Sequence, residues 1–278
     1  MNFAMNLDDL IVDISDPRAL NSVEITHIQT LCSLTNMAIY RSPVTEEDKS
    51  IPRLLGQQLG IVQLDANWLA DEDGISQIAV AAPSAGEKIA YIPYTNRPLQ
   101  WHTDGYYHPE ERRIQSMILH CVRPAATGGD NAVMDHAMAY QAMLDANPAW
   151  IKALMQPDAM TIPARLDEHG IARPAQTGPV FSFNADGSLH MRYTARTRSI
   201  EWKNDPDTRA AVAFLETLLA RDSVSPHLFR FTLQAGMGIV CNNVLHDRSG
   251  FVDCPNAPRL LYRARFLDRI PSSIGNEI

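Results

Sequence analysis

Near its C-terminal end the chain carries Arg259-Leu260-Leu261-Tyr262-Arg263-Ala264-Arg265, followed by Phe266. In a β-strand the side chains alternate between two faces, which puts Arg259, Arg263 and Arg265 on one side. Leu260, Tyr262, Ala264 and Phe266 fall on the other. Both faces are partly apolar, so a wholly solvated basic face fits poorly. Such a strand suits the wall of a barrel, where an inward arginine needs an anion; a carboxylate accepts its fork of donors in bidentate fashion. For any one of these arginines an internal salt bridge to Asp or Glu is the plain alternative.

The pattern around this strand is consistent with it. From Lys88 onward strands dominate: KIAYIPY leading into LQWHTDGYY, the apolar run Ile114 to Val122, then HLFRFTL and IVCNNVLH. FSF and SLHMRYT flank Asn184-Ala185-Asp186-Gly187, a hairpin signal. Helices interrupt at Asp135 to Ala146, at Asn147-Pro148 to Met155, and after Asp205-Pro206, where Val212, Leu215, Leu218 and Leu219 form a core-facing stripe. In the N-terminal third, Ser22 to Leu34 reads as a helix with Val23, Ile25, Ile28 and Leu31 on one side. A strand MAIYRS follows it, then a short helix from Ile51 to Leu59 entered through Pro52. No glycine-rich loop joins a strand to a helix, which disfavours a doubly wound nucleotide-binding fold. The expectation is a mainly β chain with some α: an antiparallel sandwich or barrel with helical decoration. Residues 1–278 read as one domain, with 1–85 a mixed α/β part packed on the barrel.

Composition narrows the partners. The 278 residues are 45% hydrophobic and 20% charged, enough to bury a sizeable core. A formal net charge of −8 argues against nucleic acid or an anionic membrane as partner. Cys32, Cys121, Cys241 and Cys254 lie far apart without a CxxC pair, as reduced thiols in a cytoplasmic protein do. The N-terminus is acidic where a signal peptide would be basic, and no apolar stretch approaches the roughly 20 residues of a membrane-spanning helix. These features point to a cytoplasmic protein with a small-molecule substrate, and they are compatible with a homo-oligomer.

The chemistry concentrates in two places. In Trp101-His102-Thr103-Asp104-Gly105, a His and an Asp two positions apart in an extended segment point the same way and can share one metal. In Cys241-Asn242-Asn243-Val244-Leu245-His246 a second His ends an apolar strand. Two imidazoles and one carboxylate on one face of a metal leave three positions open, the arrangement used by iron(II) oxygenases. Taken alone, His246 also suits a strand-end histidine bonded to a carbonyl.

The ordered set of His102-Thr103-Asp104, Gly128-Gly129-Asp130-Asn131, His246 and Arg259 resembles the taurine dioxygenase and γ-butyrobetaine hydroxylase superfamily, over roughly Tyr91 to Arg269. The resemblance implies a double-stranded β-helix, a jelly-roll of the clavaminate synthase-like type. It implies Fe(II) held by His102, Asp104 and His246, with 2-oxoglutarate as co-substrate and O2 as oxidant. Arg259 would bind the distal carboxylate of 2-oxoglutarate, and Asn131 stands where taurine dioxygenase has a threonine contacting it. Arg263 occupies the place of a second arginine near substrate. Tyr106, Tyr107, Arg192, Tyr193 and Arg196 are further candidates for the substrate side, for an acidic substrate or, through the tyrosines, a quaternary ammonium. The implied reaction is oxidation, chiefly hydroxylation, of a small charged metabolite with release of succinate and CO2, and with no separate acid or base residue. The chain lacks the cysteine-rich zinc module of animal butyrobetaine hydroxylases, so carnitine synthesis does not follow. Two rivals remain: a metal-dependent hydrolase on the same ligands, and a non-catalytic jelly-roll binding protein. His120 and Cys121 read as structural, and His108 as a loop histidine.

Overall fold

A computed structural model describes residues 5–65, 71, 73–82, 91–167, 170–196 and 200–271. Ten strands build its two main sheets: β1 (Ile11–Asp13), β2 (Met37–Arg41), β3 (Ser76–Ile78), β4 (Leu99–His102), β5 (Ser116–Arg123), β6 (Asn131–Met134), β7 (Leu228–Phe231), β8 (Met237–Cys241), β9 (Leu245–Arg248) and β10 (Leu260–Phe266). The large sheet runs β1-β2-β8-β5-β10-β3 and the small one β7-β6-β9-β4. All these pairings are antiparallel except β1 with β2. The N-terminal part, expected to pack on the barrel, supplies β1, β2 and β3 to the large sheet itself.

Strand alternation sorts the side chains into three apolar clusters. Leu260, Tyr262, Ala264 and Phe266 of β10 join Ile118, Val122, Tyr40 and Val240 on the outer face of the large sheet. Helices α1 (Ser22–Thr35) and α2 (Ile51–Gln58) cover that face through Ile28, Leu31, Cys32 and Leu55. Between the sheets lie Met37, Ile39, Met117, Cys121, Val133, Ile239, Cys241 and Leu261. On the far side of the small sheet, Trp101, Ala132, Met134 and Leu245 pack under α3 (His136–Ala146), α4 (Pro148–Leu154) and α5 (Pro206–Leu218). This is the expected jelly-roll with helical decoration. No helix among the described residues is long and apolar enough to cross a membrane.

Three local expectations need correction. In α1, Val23 is 75% exposed while Glu24 is buried, because Glu24 closes a capping box with Asn21 and accepts from Ser15. Of KIAYIPY, residues up to 90 lie outside the described set, and Ile92–Tyr94 forms a 3-10 turn, Pro93 having no N–H for a ladder. IVCNNVLH is not one strand. It breaks between β8 and β9, where Asn243 takes φ 52° and the chain passes from one sheet to the other.

Candidate active site

β4 and β9 lie antiparallel with His102 and His246 directly opposite each other, and their rings stand 4.2 Å apart between centroids. The outward neighbours Trp101 and Leu245 are buried under the helices, so alternation turns both imidazoles into the interior. Each ring is tethered at Nδ1: His102 donates to the Gln100 carbonyl at 2.9 Å, and His246 to the Val244 carbonyl at 2.9 Å. That bond fixes the tautomer and presents Nε2, as backbone acceptors do for metal-bound histidines. Asp104 follows on the turn after β4. One ligand atom from each of His102, Asp104 and His246 lies within 4.8 Å of the other two, and His102 Nε2 is 3.9 Å from Asp104 Oδ1.

The turn that delivers Asp104 is held from two directions. Gly105 sits at φ 69°, and a Cβ there would lie 2.4 Å from Ile114 Cγ1. Asn243 accepts from the Asp104 N–H at 2.8 Å and donates to the carbonyls of Asp104 and Ile114 at 3.0 and 2.8 Å. The residue that lets the chain cross between sheets therefore also positions the carboxylate. Asn243→Ala is expected to lower Fe(II) affinity by roughly 10–100-fold, the usual effect of losing a supporting partner. Equilibrium dialysis checks this, and unchanged affinity would remove the role.

Charge prepares the three groups for a cation. Burial, reinforced by His246, pushes the His102 imidazole down to about 3, against the pull of Asp104. Burial also lowers His246, again opposed by Asp104. Burial raises Asp104, but Arg263 and then Arg265 more than reverse it, leaving the carboxyl below its usual range. At neutral pH the set is two neutral imidazoles and one carboxylate, the protonation state a metal requires. Asp104 Oδ1 takes a bond from Arg263 Nη1 at 3.1 Å, while its buried Oδ2 has no partner among the described residues. The donor set, its geometry and this orphaned oxygen fit a facially bound divalent iron.

Arg259 and Asn131 line a second, smaller recess together with Gly128, Gly129 and Thr232. Both are buried, and each leaves a buried donor without a partner among the described residues, Arg259 Nη1 and the Asn131 amide nitrogen. Arg259 is otherwise held over the Phe251 ring at 5.1 Å. Gly128 and Gly129 both take positive φ, and a Cβ on Gly128 would meet the Gly250 carbonyl at 2.4 Å. Unsatisfied buried donors are costly, so this pair fits a carboxylate acceptor.

The metal-facing cavity has a volume of about 700 Å³. Tyr106, Tyr107, Arg196 and Arg263 line it, as do His102 and Asp104. Arg192 and Tyr193 do not. Arg192 donates to the carbonyls of Met160, Gln176 and Gly178, and Tyr193 is core beside Trp202. His108, read as a loop residue, is buried on the cavity wall with Nδ1 on the Arg112 carbonyl. His120 is structural, with its Nδ1 2.7 Å from the Tyr40 hydroxyl. Sequence reasoning missed Arg112, Arg165, Arg173 and Gln176 on the wall, and Asp65 behind it.

The family model for the taurine catabolism dioxygenase TauD, TfdA family matches residues 59–265. The chain belongs to this family. Among curated relatives, a uridine-5'-phosphate dioxygenase of Amycolatopsis sp. is 33% identical over 177 residues, 60% of this chain and 60% of that protein. One of Streptomyces sp. is 28% identical over 179 residues, 62% of each. The match thus spans less than two thirds of either relative. Among solved structures, an asparagine oxygenase bound to Fe(II), 3-hydroxyasparagine and succinate superposes with a TM-score of 0.62 at 16% identity, covering 88% of this chain and 78% of that one. The non-heme iron oxygenase OrfP with Fe and alpha-ketoglutaric acid gives 0.59 at 17% identity, covering 85% and 76%. The TauD/TfdA member described here shares their fold.

Proposed function

We propose that this TauD/TfdA member is an Fe(II)- and 2-oxoglutarate-dependent dioxygenase acting on a small anionic metabolite. The observation that carries the reading is the convergence of His102, Asp104 and His246, each imidazole tethered to its own strand. Iron(II), when bound with 2-oxoglutarate and O2, supplies the oxidising chemistry that releases succinate and CO2. The chain's contribution is placement. His102, Asp104 and His246 would hold the metal, and Arg263 keeps the Asp104 carboxylate aimed and ionised. Arg259 and Asn131 would take the distal carboxylate of 2-oxoglutarate with donors that have no partner among the described residues.

A zinc-type hydrolase on the same ligands leaves the orphaned donors of Arg259 and Asn131 without a purpose. The substrate meets the cavity beyond the metal, where Tyr106, Tyr107, Arg196 and Arg263 stand. Hydroxylation of a nucleoside monophosphate is the first reaction to test, given the relatives' substrate and the cationic wall. Action in the cytoplasm, without a nucleic-acid or membrane partner and with room for a homo-oligomer, completes the reading.

The test is anaerobic titration of the iron(II)-loaded protein with 2-oxoglutarate, following the weak visible charge-transfer absorption of the chelate. Wild type is expected to develop the band at saturation. Arg259→Ala is expected to weaken 2-oxoglutarate by roughly 10–100-fold, since a charge-assisted hydrogen bond contributes about 1.5–3 kcal/mol. No band in wild type with iron bound would overturn the oxygenase reading. An unchanged midpoint in the variant would remove Arg259 from it.

A further inference from the structure

Phe251 stands where separate parts of the site meet. Its strand, Phe251–Val252, pairs antiparallel with Thr127–Gly128, which puts Phe251 directly opposite the first glycine of the pair that leads to Asn131. That approach needs a residue without a side chain. A Cβ on Gly128 would lie 2.4 Å from the Gly250 carbonyl oxygen and 3.2 Å from Phe251 Cα. The Gly129 N–H donates to the Gly250 carbonyl at 3.2 Å, and the Phe251 N–H to the Asn96 carbonyl at 3.1 Å. The Phe251 backbone is thus tied both to the Asn131 segment and to the 93–97 segment.

Two buried guanidinium groups share its ring. Arg259 lies 5.1 Å from the ring centroid and Arg248 4.9 Å. Their donors differ. Arg248 ends β9 two residues after His246 and donates to the carbonyls of Pro93, Thr95 and Arg97. Arg259 keeps Nη1 buried and without a partner among the described residues. Its backbone is fixed, because the Asp253 carboxylate accepts the Arg259 N–H at 2.6 Å. Burial pulls Arg259 below the usual arginine range, opposed by Cys121 and Asp253, and a ring face beneath a desolvated cation offsets part of that cost. Phe251 does not itself line the recess that Arg259 and Asn131 share. Any effect it has on an occupant passes through Arg259.

From this arrangement we infer that Phe251 is a positioning residue of the co-substrate site. Its ring holds the Arg259 fork ready for the distal carboxylate of 2-oxoglutarate and links it, through Arg248, to the strand that carries His246. Without the ring, the ligand itself would have to order a long side chain, and that ordering lowers affinity. The ring serves only the far end of 2-oxoglutarate, so a 2-oxo acid without a distal carboxylate gains nothing from it. The inference rests on the proposed role of Arg259 and adds the residue that aims it.

The test is the anaerobic charge-transfer titration of the iron(II)-loaded protein, run with 2-oxoglutarate and with 2-oxovalerate, which has a methyl group in place of the distal carboxylate. Phe251→Leu is expected to weaken 2-oxoglutarate by about three- to tenfold, the cost of ordering one arginine. It should bind 2-oxovalerate and Fe(II) as wild type does. Phe251→Tyr keeps the ring face and should stay within about twofold of wild type. Should Phe251→Leu fail to fold, Phe251→Met fills the space without a ring and carries the same expectation. An unchanged 2-oxoglutarate midpoint, equal weakening of both acids, or equal loss in Phe251→Tyr and Phe251→Leu would each overturn the role. Failure of the Arg259 assignment shows separately, as an unchanged midpoint in Arg259→Ala. Failure of the oxygenase reading shows as absence of the band in wild type.

Discussion

Replacing His102 with Ala is expected to abolish stoichiometric Fe(II) binding and with it succinate production, while the protein stays folded. His102 ends β4 opposite His246, and its Nε2 faces Asp104. Without it two protein ligands remain, and the loss should exceed the roughly 10–100-fold that removing a supporting partner costs. The fold is insulated from the change. Trp101 keeps its packing under the helices, the small sheet keeps its backbone bonds, and Asp104 keeps Arg263. Equilibrium dialysis of iron, a succinate assay and a melting curve separate these effects. Full iron occupancy in a folded His102→Ala protein would remove this histidine from the metal set.

The contrast with Asn243→Ala is informative, because only one of the two substituted residues was legible in the sequence. His102 and Asp104 belong to a local motif, and His246 and Arg259 follow it in fixed order along the chain. The alternation from Arg259 to Phe266 was equally plain, since a strand's faces follow from parity alone. Asn243 left a weaker signal. An Asn pair interrupting an apolar run favours a left-handed turn, but its three hydrogen bonds to the 104 and 114 segments depend on tertiary placement. Arg173 on the cavity wall was harder still. Parity predicts that Ile171 and Arg173 share a face of the strand Gly170–Arg173, and the register shift between them reverses this without a sequence mark. Arg192 shows the opposite error. Its place beside Tyr193 suggested a ligand contact, whereas backbone carbonyls of three different residues take its donors.

Asp65 carries the second large effect, on stability rather than chemistry. It is 2% exposed and accepts from Arg265, itself 4% exposed, and from Arg112 Nε at 2.7 Å. Arg265 also donates to the Tyr107 hydroxyl at 3.1 Å, so one buried carboxylate anchors two arginines of the cavity wall. In Asp65→Ala the Arg265 guanidinium stays buried with its charge uncompensated. Breaking a buried pair from one side costs about 3–5 kcal/mol, which in a chain of this size lowers the melting temperature by on the order of 10 °C. Replacing both partners, as in Asp65→Ala with Arg265→Met, should recover much of that loss, because no charge is left stranded. A denaturant series on the wild type, both single variants and the double variant measures the coupling directly. Additive losses would mean that the buried pair contributes nothing beyond its two separate side chains. Strong coupling would mean that the wall facing the metal is held by the Asp65 charge.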